Sequence, residues 1–328
     1  MLAVLCQDEN MIRDASEGKD LYSAIAAKAF HTTYNECLEH FPKDTPIKKD
    51  GKDWRYATEE EIKLNDYDKL ANGETDTYSK GKERRKQAKV ILLGLMYGRG
   101  RKALAEQLNC SEEEAQDIMN SVYAAFPKIR EYENRAKAFA KKTGYITTLW
   151  GRKRRLQDIK KQPYEFDFSN SRFNETNYSN YRDLQRNYVN KYSNKLNEVY
   201  WKEKEKNELL SMMKNEDGVI VTINTGLIAR AERQIVNASV QGSAADMSKK
   251  AIVRINEDEE LRDLGFQMLV PVHDEILGQC PLANAKKCKE LFTYDMEHCA
   301  EDRVPLEIKV DPTCSFAWYG DDIDVNTI

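Results

Sequence analysis

Between Leu269 and Leu277 the chain reads Leu-Val-Pro-Val-His-Asp-Glu-Ile-Leu, so an imidazole and two carboxylates stand between apolar flanks. Alternation through Phe266, Met268, Val270 and Val272 argues for a strand, and Ile276 and Leu277 begin its return. The pattern predicts a buried hairpin over 266–280, with His273, Asp274 and Glu275 at the turn, open to solvent and a ligand. Asp274 is a hard oxygen ligand of the kind Mg2+ accepts while sharing the ion with substrate phosphates. Two-metal phosphoryl transfer needs ions roughly 3.5–4 Å apart bridged by acidic groups, so one aspartate is too few and a second must come from elsewhere. An acid-rich turn without function has the same composition. A metal phosphohydrolase of the His-Asp type would need further ligands on helices, and His31, His40 and His298 fall in unrelated contexts.

Two further groups recur at helical spacing. Arg85, Lys89, Leu93 and Tyr97 lie four residues apart and form one slowly drifting stripe. Two cations followed by an apolar and an aromatic position suit a nucleoside triphosphate, with charge for the phosphates and flat surface for the base. Gly94 beside them removes a side chain where something must approach closely. A solvated basic face with a core tyrosine gives the same periodicity. Arg233, Asn237 and Gln241 also recur every four residues, each with donors able to reach minor-groove acceptors. An ordinary polar helix face is equally compatible with that spacing. The run Gly-Arg-Lys-Arg-Arg, with Arg152 and Arg154, follows a strand-like segment and is a candidate phosphate clamp.

The elements that must carry these groups can be read in outline. Residues 2–30 have helical spacing with a break near Gly18, and 42–80 are rich in turn signals. A helix is expected over 81–97. Another starts behind a capping box, Ser111 with Glu114, and Pro127 separates it from a third that runs to about Lys142. Residues 157–217 turn rich in Asn, Tyr and charge, which predicts an insertion, part loop and part amphipathic helix. Its tyrosines could stack single-stranded bases or pack a small local core. A helix over 226–256, the hairpin, a helix over 283–300 and a closing strand near Pro305–Pro312 complete the chain.

Composition narrows the class. The 328 residues are 41% hydrophobic and 32% charged, with no apolar run near the roughly 18 residues of a membrane span. The seven scattered cysteines form no metal or disulfide pattern, which fits reduced thiols in a cytoplasm. A net charge of −4 excludes a wholly basic coat, yet residues 80–102 hold nine Lys/Arg against one Glu. Such blocks can focus an anion onto one face.

Taken together, the motifs resemble family A DNA polymerases, the bacterial polymerase I type. Residues 84–98 (RRKQAKVILLGLMYG) are similar to the fingers motif R-x3-K-x6-7-Y-G, and residues 272–275 (VHDE) to palm motif C. Residues 233–242 resemble the primer–template segment. Residues 7–23, 126–132 and 144–155 match further segments in family order. The resemblance implies an α+β fold, a fragment of the right-hand polymerase with helical fingers and a palm with a small antiparallel sheet. Residues 1–16 would end a palm segment and 17–156 would be fingers with a loop-rich insertion at 37–80. Residues 157–222 would be a family-atypical insertion and 223–328 palm.

It further implies that Arg85 and Lys89 hold an incoming dNTP and that Leu93 and Tyr97 wall the nascent base pair. Arg233, Asn237, Gln241, Arg152 and Arg154 would contact primer–template DNA. His273 would lie near the primer end, Asp274 would bind catalytic Mg2+, and Glu275 would support the site. The activity implied is attack of a primer 3′-hydroxyl on a dNTP in a host or bacterial cytoplasm. Leu93 departs from the family's usual Phe or Tyr, and Tyr22 from a frequent His. Motif A, with the other metal-binding Asp, is expected on a separate N-terminal polymerase half that also carries the thumb, as in a split or truncated phage-like enzyme. A catalytically inactive nucleic-acid-binding remnant is the alternative.

Overall fold

The computed structural model describes residues 1–38, 46–49, 53–56, 75–318 and 320–325. Tertiary contacts divide the chain into two compact units, one of residues 1–139, 145–155 and 233–328, the other of 140–144 and 156–232. The fold is α+β: helices dominate, and the strands form two-stranded antiparallel sheets. Among the described residues no helix is long and apolar enough to cross a membrane.

In the larger unit the segment expected as helical over 2–30 with a break near Gly18 has that break and a second one, giving α1 (Leu2–Cys6), α2 (Glu9–Ser16) and α3 (Leu21–Ala29). Left-handed Gln7 and Gly18 break it, and Asp8 and Asp20 cap the second and third pieces with their carboxylates. The insertion expected at 37–80 falls largely outside the described residues; within it the backbone of β1 (Pro46–Lys49) pairs with β2 (Asp53–Tyr56).

Helix α4 (Thr75–Met96) lies against α3 and ends in Tyr97 and a left-handed Gly98. Helix α5 (Arg101–Leu108) leads to α6 (Glu112–Ala125), which opens with both bonds of the Ser111–Glu114 capping box. Buried Phe126 and then Pro127 separate α6 from α7 (Pro127–Thr143). A short ladder follows, β3 (Tyr145–Thr147) with β4 (Lys153–Arg155), turned around Gly151.

The smaller unit contains β5 (Tyr164–Asp167), α8 (Tyr181–Glu198), α9 (Glu203–Asp217) and β6 (Ile220–Ile223), and β5 and β6 pair across its ends. Of the two sequence readings of its tyrosines, the local core holds for Tyr188 and Tyr192. They are buried with Met213 and Val219, and Phe166, Phe168 and Phe173 pack around them. Gly218 is left-handed, and a Cβ there would collide with the Asn170 carbonyl, so glycine is required at that turn.

The long helix α10 (Thr225–Glu257) begins in the smaller unit and continues from Arg233 in the larger one. Beyond it come α11 (Glu259–Asp263), β7 (Gln267–Val272), β8 (Glu275–Gln279) and α12 (Ala285–Glu297). Ile255, Leu261 and Cys288 form the core beneath the hairpin with Phe266, Ile276 and Phe292. The closing strand expected near Pro305–Pro312 does not form. Leu306 and Ile308 pack inward on Val4, Ala251 and Ala300, but the backbone finds no ladder partner among the described residues, and Val310 N–H donates to the Glu297 carboxylate.

Candidate functional site

The hairpin forms as the alternation predicts, with one correction: it is half-buried. Met268, Val270 and Val272 turn inward while Gln267, Leu269 and Pro271 face out, and Leu269 is 52% exposed. Val272 pairs with Glu275, which leaves His273 and Asp274 as a two-residue turn. His273, Asp274 and Glu275 are all exposed, and His273 is left-handed at φ 56°. No hydrogen bond or ion pair joins them to the two stripes among the described residues. Nor does any group of three or more His, Cys, Asp or Glu able to hold a metal occur there. Two open carboxylates at a turn therefore fit an ion shared with phosphates and water, not an all-protein cage.

On α4 the expected stripe is present. Arg85 is held by Asp20 through Nε to Oδ2 at 2.9 Å and Nη2 to Oδ1 at 3.0 Å. The Tyr22 ring lies beneath both cations, 5.5 Å from the Arg85 Cζ and 6.0 Å from the Lys89 Nζ. Burial pushes the Asp20 carboxyl up, but hydrogen bonds from Arg85 and Ser23 outweigh it and hold the group below its ordinary value. Lys89 is exposed, and Leu93 and Tyr97 are half-buried. The reason given for Gly94 does not hold. Gly94 is buried, and a Cβ there would meet the Leu104 Cδ1 of α5 at 3.5 Å, so helix packing rather than a ligand occupies that face.

The stripe on α10 meets the end of α4. Gln241 Nε2 donates to the Tyr97 hydroxyl at 2.8 Å, and Asn237 Nδ2 donates to Gln241 Oε1 at 3.3 Å. Arg233 lies against Gly98, where a Cβ would stand 3.1 Å from its Cγ and 3.3 Å from its Cα. Among the described residues the buried Oδ1 of Asn237 has no hydrogen-bond partner. Residues of the two stripes thus adjoin one another at Tyr97–Gly98.

The opposite face of α10 docks the β3–β4 ladder through groups that sequence reading missed. Tyr132 donates to Ser239 Oγ at 2.8 Å, Ser239 Oγ donates to the Thr147 carbonyl at 2.9 Å, and Leu149 N–H donates to Ser243 Oγ at 2.8 Å. Arg152 is tied to the same helix, its Nε 2.6 Å from Asp246 Oδ1 and its Nη2 3.0 Å from the Gly242 carbonyl. Asp246 offsets the Arg152 charge, whereas Arg154 stands exposed on β4. The small side chains at 239 and 243, one turn apart, were the signal available for this close approach.

The sequence profile of DNA polymerase family A matches residues 69–179 and 176–319. DNA polymerase theta of Drosophila melanogaster is 28% identical over 233 residues, covering 69% of this chain and 8% of that protein. DNA polymerase I of Geobacillus stearothermophilus is 24% identical over 319 residues, covering 97% of this chain and 24% of the relative. The chain therefore spans about a quarter or less of these relatives. Its fold is similar to the POL domain of Pol1 from M. smegmatis in complex with DNA primer–template and dNTP. That likeness has a TM-score of 0.57 at 21% identity and covers 94% of this chain and 36% of that one. With the profile matched across more than half of its length, this chain belongs to DNA polymerase family A.

Proposed function

We propose that the chain carries the nucleotide- and duplex-handling part of template-directed DNA synthesis. The observation that carries this reading is the junction of the two stripes, where the Gln241 amide holds the Tyr97 hydroxyl and Arg233 abuts Gly98. A surface for an incoming base pair and a surface for the duplex behind it have to be adjacent for synthesis to proceed by one pair at a time. The names of its relatives and the primer–template and dNTP of its structural neighbour agree with that division.

In this reading 17–156 are fingers, 1–16 and 223–328 palm, and 157–222 an insertion. Arg85 and Lys89 hold the triphosphate, and Leu93 and Tyr97 form the wall against which the new pair stacks. Arg233, Asn237 and Gln241 grip the minor groove behind it, where acceptors are nearly independent of sequence. Arg154 contacts backbone phosphate, and Arg152, fixed by Asp246, sets the β4 edge. His273 lies near the primer terminus and Glu275 supports the turn. Asp274 supplies one oxygen ligand to Mg2+, which when bound would lend Lewis acidity to the attacking and leaving oxygens. The remaining carboxylate would come from a polypeptide segment carrying motif A and the thumb, the partner we propose, in a bacterial or host cytoplasm.

Primer extension with Mg2+ and dNTPs tests this, alongside primer–template binding. The chain should bind the duplex, and extension should need the motif A partner. Asp274→Asn should abolish extension while leaving duplex affinity unchanged. Efficient synthesis by the chain alone would contradict the shared metal site. Absence of duplex binding would sink the whole reading.

A further inference from the structure

Asp20 lies in a segment that resembles the family, yet no role falls to it from the motif, and in the structure it makes contacts on three sides. Its backbone N–H donates to the Tyr34 hydroxyl at 2.8 Å. Its Oδ2 accepts from Ser23 N–H at 2.7 Å and so caps α3. Both carboxylate oxygens accept from Arg85, 65 residues away. A carboxylate fixed by a helix cap cannot swing to follow an arginine; the arginine is fixed by the carboxylate. The bidentate pairing sets the plane of the guanidinium as well as its position.

The setting explains why such a hold is needed. Arg85 and Lys89 are like charges one turn apart and repel each other. A single aromatic face, the Tyr22 ring, lies under both. Holding a long side chain of considerable rotamer freedom in place before an anion arrives lowers the entropy cost of binding that anion. The guanidinium has five N–H donors. Asp20 engages its Nε–Nη2 edge.

We propose that Asp20 is a positioning residue that presets Arg85 for the phosphates of the incoming nucleotide, an inference that rests on the assignment of Arg85 to the triphosphate. The opposite role, a latch that competes with the phosphates, predicts the opposite sign.

The experiment is titration of dTTP, with Mg2+, onto the chain bound to a primer–template whose primer ends in a dideoxynucleotide and whose next template base is adenine. Asp20→Asn removes the charge but keeps a residue that caps helices as well as aspartate does. It should weaken dTTP binding about tenfold, the scale of a charge-assisted hydrogen bond, with duplex affinity unchanged and the unfolding midpoint lowered but still well above the assay temperature. Asp20→Glu, which restores the charge on a longer arm, should recover part of the loss and also serves if the first variant fails to fold. Arg85→Ala is the reference arm. If it weakens dTTP binding while Asp20→Asn leaves it unchanged or tightens it, the positioning role is overturned and the triphosphate assignment stands. If Arg85→Ala has no effect, the assignment itself falls, and this inference with it.

Discussion

Replacing Gly242 by alanine gives a prediction whose sign depends on one methyl group. A Cβ at 242 would stand 2.8 Å from Thr148 Cγ2 and 3.4 Å from Arg152 Nη2, against an ordinary carbon–carbon contact of about 3.5–4.0 Å. Thr148 has little room to yield: it is 6% exposed, and its Oγ1 accepts from Arg152 N–H at 3.1 Å. Overpacking of this kind costs about 1–3 kcal/mol, against a gain of about 1 kcal/mol for Gly→Ala inside a helix. Gly242→Ala should therefore be destabilising by up to about 2 kcal/mol. Thr148→Ser removes the methyl and keeps the hydroxyl, at a cost of about 1 kcal/mol for the lost burial. On that background the clash is gone, and Gly242→Ala should stabilise by about 1 kcal/mol, its helix-propensity gain. Urea unfolding of the four proteins of the cycle, with matched m-values, measures the coupling. Additivity within about 0.5 kcal/mol would show that α10 and the β3–β4 turn do not meet as described.

Two other variants probe buried charge. Tyr188 donates to Asp217 Oδ2 at 2.7 Å, and Asp217 is 4% exposed with Arg172 on its other oxygen. Tyr188→Phe should lower stability by about 1–3 kcal/mol by leaving that oxygen unpaired, read from urea unfolding followed by circular dichroism; no change would mean that water reaches Asp217. Burial holds the Glu133 carboxyl above its ordinary value, although Lys137, the Tyr123 hydroxyl and Arg130 oppose it. A folded-state value above the unfolded one favours the protonated folded protein, so this contribution is present below about pH 4 and is lost as pH rises through the folded value. Glu133→Gln should accordingly raise the unfolding midpoint at pH 7 more than at pH 4, and an equal effect at both would refute the burial argument.

The helices and the hairpin were legible because their signals are local. Ser111 and Glu114 are three residues apart, and Met268, Val270 and Val272 alternate within one strand. The stripes were legible for the same reason, as spacing on single helices. What escaped depends on partners distant in sequence. Nothing near Arg85 announces Asp20, and nothing near Arg152 announces Asp246, 94 residues on. The pairing of Tyr164–Asp167 with Ile220–Ile223, which closes the smaller unit, has no local mark either. The strand expected at Pro305–Pro312 failed for the converse reason. Its alternation is real, but a ladder needs a neighbouring backbone, which sequence pattern does not supply.

The turn at the tip of β7 and β8 has a left-handed first residue, and glycine, asparagine or aspartate is the usual occupant of such a position. A histidine there costs about 1 kcal/mol in backbone strain, so folding alone would favour its replacement. Of all the residues in the hairpin, His273 is then the one whose identity conflicts with the conformation it adopts. A library of 273 variants sorted for stability alone should converge on glycine or asparagine, and the difference between that outcome and the natural imidazole measures what the turn does besides turn.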